Sequence, residues 1–254
     1  MIMPELMGNR VGEQKYSNEG CLMKIVEYYN YDDIVVQFQD EYGYFKCTDY
    51  GSFKIGEVKN PYHKSMYGVG FMGVGHYRKQ IDGVNQPQYK AWCEILRRCY
   101  AKNADVKFPT YKDSTVCETW KNLQFFGSWH DENVYTLDDE KMEIDKDWLI
   151  KGNKLYSPVT CIFVPSRINR LIGGSSNNGL PKGVKYRPLI KRFVATLNNK
   201  HLACCKTPEE AFEYYKKAKE DYIKEVALNY KLKYPQFPNR LYEAMLNYNV
   251  EITD

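Results

Sequence analysis

The stretch from Lys141 to Ile172, KMEIDKDWLIKGNKLYSPVTCIFVPSRINRLI, changes character three times within 32 residues. Acidic residues sit on a short strand-like run, a Lys-Gly-Asn turn follows, a β-rich run returns, and a helix opens at Pro165. Proline suits that position because a first-turn residue has no N–H to lose from the helix ladder. The order strand, loop, strand, helix is the frame to which the other segments are added.

The next strongest signal is the helix that begins after Lys206. Thr207 is a natural N-cap, Pro208 takes the first turn and Glu210 completes a capping box. Ala211, Tyr215, Ala218, Tyr222 and Val226 recur at helical spacing, and Pro235 stops a helix that extends to Tyr234. Before it, KGVKYRPLIKRFVATLNNKHLACCK reads as two or three short strands with Asn198-Asn199 as a turn. A last short helix, Asn239 to Asn247, carries Leu241, Met245 and Leu246.

Toward the amino terminus, Gly20 to Lys59 reads as a small β-module. Met23 to Tyr28 and Ile34 to Phe38 are its strands and Tyr31-Asp32-Asp33 its turn. It holds 7 acids against 4 bases, which suits a scaffold or a protein contact better than a phosphate clamp. Gly68, Gly70 and Gly73 spell G-x-G-x-x-G, but no buried strand precedes them and no helix opens directly after, so the segment reads as a turn region and not a dinucleotide loop. Pro87 opens a helix with Tyr89, Trp92, Cys93, Leu96 and Tyr100 on one face, and Arg97 and Arg98 beside it. Thr115 to Asn133 reads as a second helix, with Trp120, Leu123, Phe126 and Trp129 apolar and His130 at its end.

The chain is expected to be α+β. A β-rich module covers residues 1–80, a hairpin-plus-helix domain 81–172, the linker around GGSSNNG 173–181, and a three-stranded sheet backed by a helix 182–254. No apolar run approaches the ~18 residues of a membrane span, and the amino terminus lacks a signal-like apolar core, so a cytoplasmic protein without a membrane partner is expected. Eight scattered cysteines without a Cys-x-x-Cys pair suit reduced, mostly buried thiols better than a zinc or disulfide framework. The 23 tyrosines fit a half-buried sheet and also base stacking. Charge is uneven: 182–233 carries 13 Lys and Arg against 6 Asp and Glu, although the whole chain is only +4.

Three blocks in order, WCEILRRCY, PTYKDSTVCETWKNLQFFGSWHDEN and EIDKDWLIKGNKLYSPVTCIFVPSRIN, resemble the HNH-type proteins of phages and mobile elements. The segment from Val184 to Val226 is similar to the Apetala or ethylene-response-type DNA-binding domain that is often fused to such nucleases. The resemblance implies a homing-type endonuclease that nicks or cleaves DNA with Mg²⁺ or a similar divalent ion. It implies Asp145, Asp147 and Asn169 as catalytic positions, with Asp145 and Asn169 on the metal. Lys185, Arg187, Lys191 and Arg192 then meet double-stranded DNA, with ordinary surface charge as the other reading. Asp145 and Asp147 equally suit a solvated acidic strand, and Asn169 a helix hydrogen bond.

The family's first-strand histidine is replaced here by Lys146 or Asp147, and Pro-x-Asn-Cys by Pro158-Val159-Thr160-Cys161. No histidine occurs between His130 and His201. Lysine is a poor base at neutral pH, and loss of a positioned base costs about 100-fold to 10,000-fold in rate. The alternative expectation is therefore a nuclease-dead DNA- or protein-binding factor, a regulator or counter-defence protein, with the amino-terminal module as a protein contact.

Overall fold

The computed structural model describes residues 10–173 and 179–252, and the fold is α+β. The chain forms two compact units, Met1–Asp131 and Glu132–Asp254.

In the first unit, β1 (Gln14–Tyr16), β2 (Leu22–Asn30), β3 (Asp33–Phe38) and β4 (Phe45–Thr48) form an antiparallel sheet in chain order. Ile34, Val36 and Phe38 alternate along β3 with half-buried and exposed residues, and they bury with Met23 and Ile25 of β2. The core is closed by α1 (Tyr50–Ile55), which contributes Tyr50 and Phe53. The β-only expectation for this region omitted that helix. Its signal was short: Asp49 accepts the Ser52 N–H at 2.7 Å as N-cap, and Gly56 closes the helix in a left-handed conformation seven residues on.

The hairpin β5 (Gln80–Ile81) and β6 (Val84–Asn85) leads into α2 (Pro87–Tyr100), which buries Trp92, Ile95 and Leu96. Gly70 lies against Trp92 and Leu96, and Gly73 against Asn122, with no room for a side chain, so these two of the G-x-G-x-x-G glycines serve close packing here. After α3 (Ala104–Lys107), the expected helix Thr115 to Asn133 is broken into β7 (Thr115–Val116), a 3₁₀ turn Glu118–Lys121, and α4 (Leu123–Asn133). Phe71 supplies the reason. Its N–H donates to Lys121 O at 2.9 Å and its carbonyl accepts the Leu123 N–H at 3.0 Å, so the backbone at Asn122 is drawn into a bridge and cannot continue a helix.

In the second unit, β8 (Met142–Asp145), β9 (Leu155–Tyr156), β10 (Ile162–Pro165) and α5 (Ser166–Ile172) give the expected hairpin-plus-helix order, with β8 and β10 antiparallel. Then β11 (Val184–Arg187), β12 (Arg192–Leu197) and β13 (Lys200–Cys205) form an antiparallel sheet, followed by α6 (Pro208–Lys233) and α7 (Asn239–Leu246). Asn198 and Asn199 both have positive φ, 48° and 64°, as a two-residue hairpin turn requires.

The 26-residue α6, about 39 Å long at 1.5 Å per residue, serves two cores. Ala211, Phe212 and Tyr215 pack on the sheet with Val184, Ala195 and Cys205. Farther along, Ile223, Val226, Ala227 and Tyr230 pack with Ile162, Val164 and Ile168 of the ββα segment. The ββα segment thus shares apolar surface with α6 and α7. Of the expected linker 173–181, residues 174–178 lie outside the described residues. No helix among the described residues is long and apolar enough to cross a membrane.

Candidate functional site

Antiparallel register sets the first half of the site. Glu143 lies opposite Val164, and Asp145 opposite Ile162. Cross-strand partners share a face, so both carboxylates stand on the side where Ile162 and Val164 meet Ile168 of α5. Asn169, one residue beyond Ile168, donates its amide to Glu143 Oε2 at 2.9 Å, and Ser166 Oγ donates to Glu143 Oε1 at 2.7 Å. Lys141 Nζ adds an ion pair at 3.3 Å. Burial pushes the Glu143 carboxyl up, but the bonds from Asn169, Ser166 and Lys141 outweigh it and hold the group below its ordinary value. Glu143 was not among the expected site residues; its two-residue offset from Asp145 on one strand is the sequence signal that places it on the same face.

Asp145 is used differently. Its Oδ1 accepts the backbone N–H groups of Asp147 at 2.7 Å and Trp148 at 2.8 Å, which fixes the turn leaving β8. Burial is the largest influence on its carboxyl and raises its pKa despite those bonds. Lys146 is 4% exposed and donates to both oxygens of Asp147, at 3.0 and 2.8 Å, and to Asn153 O at 2.6 Å. Thr160, where the resemblance leads one to expect an asparagine, donates Oγ1 to Leu155 O at 2.6 Å and shares a 2.8 Å hydroxyl contact with Ser157. Burial pushes the neighbouring Cys161 thiol up to about 12.

Asp138 and Glu140 of the acidic run are also occupied. Asp138 accepts from Lys233 Nζ at 2.8 Å and Tyr234 Oη at 2.6 Å, and Glu140 from Tyr230 Oη at 2.5 Å. The run therefore ties the ββα segment to α6.

For a divalent ion, the residue types fit in part. Among the described residues, Asp145 Oδ2 and Asn169 Oδ1 carry no hydrogen bond, and Mg²⁺ often takes one or two protein oxygens together with phosphate and water. Those two residues would hold the ion, whose chemistry is charge neutralisation at a scissile phosphate. No group of three or more His, Cys, Asp or Glu side chains converges among the described residues. A base is harder to find, since Lys146 and Asp147 are bound to each other.

The second half of the site is the outer face of β11, β12 and β13. Val184 and Ala195 face α6, so Lys185 and Arg187 project from the other side of β11, as Arg192 does from β12 and Cys204 from β13. Lys185, Arg187, Lys191 and Arg192 are all exposed, and among the described residues none pairs with a carboxylate. Arg187 and Arg192 lie directly opposite each other. Like charges in that relation destabilise a sheet. From Leu180 to Pro208 the chain has seven Lys and Arg and no Asp or Glu. Lys191 differs from the other three in sitting in the turn, in a left-handed conformation with φ 47°. Comparison with family models, with curated proteins and with solved structures finds no match to this chain.

Proposed function

We propose that this protein binds double-stranded DNA through the outer face of β11, β12 and β13, as a phage or mobile-element factor of HNH type in which the ββα segment is chiefly a support. The carrying observation is the Arg187–Arg192 cross-strand pair, set among Lys185 and Lys191 without a compensating carboxylate among the described residues. An array that repels itself in isolation is stabilised when phosphates neutralise it and counterions are released. α6 backs the sheet and anchors it to the ββα segment, so the cationic face is presented on a rigid support. The closed bonding of Lys146 to Asp147 favours support over hydrolysis.

Cys204 gives a direct test, because it is exposed on the same outer face. Alkylation of Cys204 in the full chain, read by peptide mass spectrometry, should slow several-fold when duplex DNA is added, while alkylation of exposed Cys47 in the other unit stays unchanged. Equal Cys204 rates with and without duplex would remove this reading.

Metal-dependent nicking is the second reading. It is supported by the ββα order and by Asp145 and Asn169, each of which keeps one oxygen without a hydrogen bond among the described residues. Supercoiled plasmid incubated with the protein and Mg²⁺ or Mn²⁺ separates the two: nicking lost in Asp145→Ala supports the enzyme, and intact plasmid supports the binding factor.

A further inference from the structure

The turn joining β11 to β12 has features that phosphate contact leaves unexplained. Pro188–Ile190 forms a 3₁₀ turn, closed by the Lys191 N–H donating to Pro188 O at 3.2 Å. At its tip Leu189 is 100% exposed, and the adjoining Ile190 is 55% exposed. Isolated exposed aliphatic residues are common on protein surfaces. Here two are adjacent, on a turn stiffened by proline, with Arg187 before them and Lys191 and Arg192 after. At the base of the turn the Tyr186 and Phe193 rings meet with centroids 5.0 Å apart, which braces the two strands where the tip departs.

We infer that Leu189 is a wedge that enters between adjacent base pairs of bound duplex and bends it, while Arg187, Lys191 and Arg192 hold the phosphates on either side. This rests on the duplex-binding reading above. An apolar tip within a cationic collar matches the two surfaces of opened DNA, since the exposed base faces are apolar and the flanking backbones anionic. Proteins that kink DNA commonly unstack a step with one apolar side chain and recover the cost through added backbone contact. The collar lacks any acidic residue from Leu180 to Pro208, so nothing in that stretch opposes close approach of phosphate. Because Leu189 is fully exposed, its replacement leaves the fold intact.

The test uses the full chain and a mixed-sequence duplex of about 30 base pairs with a fluorophore at each end, the bend being read as energy transfer at saturating protein. Wild-type protein should raise the transfer. Leu189→Ala should bind within about threefold of wild-type affinity, as expected when backbone contacts dominate, and should leave transfer near the free-duplex value. Wild-type binding without a change in transfer, or equal bending by Leu189→Ala, overturns the wedge and leaves duplex binding standing. No duplex binding by either protein overturns both. A parallel sedimentation with phosphatidylserine vesicles covers the other anionic surface an apolar tip could enter. Vesicle binding lost in Leu189→Ala, with the duplex unbent, reassigns the tip to lipid.

Discussion

Asn169 and Glu143 are joined by a 2.9 Å hydrogen bond from α5 to β8, and the carboxylate in that bond lies two residues before Asp145, the acid expected to work with Asn169. The helix is thus fastened to the strand by a charged acceptor. A hydrogen bond to an ionised group contributes more than one between neutral groups.

Glu143 is held below its ordinary carboxyl value in the fold, so it contributes stability above the glutamate range that is lost as pH falls through its folded pKa. Asn169→Ala should cost about 1 kcal/mol near neutral pH, and the difference from wild type should shrink toward zero as pH falls through the lowered Glu143 value. Urea unfolding at a series of pH values measures this. A deficit that is the same at acid and neutral pH would assign Asn169 to packing alone.

Asp145 has the opposite sign. Its folded pKa is raised, so its ionisation opposes folding, and its favourable contribution is full at low pH and fades as pH rises through the folded value. Asp145→Asn keeps an oxygen acceptor for the Asp147 and Trp148 N–H groups and removes the charge, and should match or exceed wild-type stability at pH 7. Asp145→Ala leaves two turn donors without that acceptor and should cost about 1–3 kcal/mol. Equal losses in both variants would mean that the charge itself is needed.

The sheet-to-helix seam gives a third expectation. Gly183 has φ 77° and its Cα faces the Tyr215 ring so closely that a Cβ would overlap it. Gly183→Ala should therefore destabilise the protein by more than Thr207→Ala, which removes one N-cap bond worth about 1 kcal/mol. Thermal unfolding of the two variants should rank them in that order; the reverse ranking would show that the turn before β11 relaxes freely.

Local chemistry made much of this fold legible. The Thr207-Pro208-x-Glu210 start and the Asn198-Asn199 turn each act within a few residues and lie where the sequence places them, while Pro165 ends β10 and caps α5 one residue before the helix. Much of what escaped is non-local. Thr115 to Asn133 has a helical apolar pattern, but Phe71, about fifty residues earlier, claims the backbone at Lys121 and Leu123. The α1 helix is only six residues long, too short for periodicity to reveal, and only its caps mark it. At the site, the sequence gathers acids between Asp138 and Asp147 but carries no sign that Lys233, Tyr234, Tyr230, Asn169 and Lys146 would occupy them. Strand parity does assign Lys185, Arg187 and Arg192 to one exposed face.

The most direct measurement of the central claim is duplex affinity of the full chain across a salt series, for wild type and for the combined Lys185→Ala, Arg187→Ala, Arg192→Ala variant. Each neutralised phosphate contributes about 0.9 to the log–log slope, so the variant should bind more weakly at every salt concentration and its slope should be shallower by about 2 to 3. Identical affinities and slopes for the two proteins would contradict duplex binding by the outer face of the sheet.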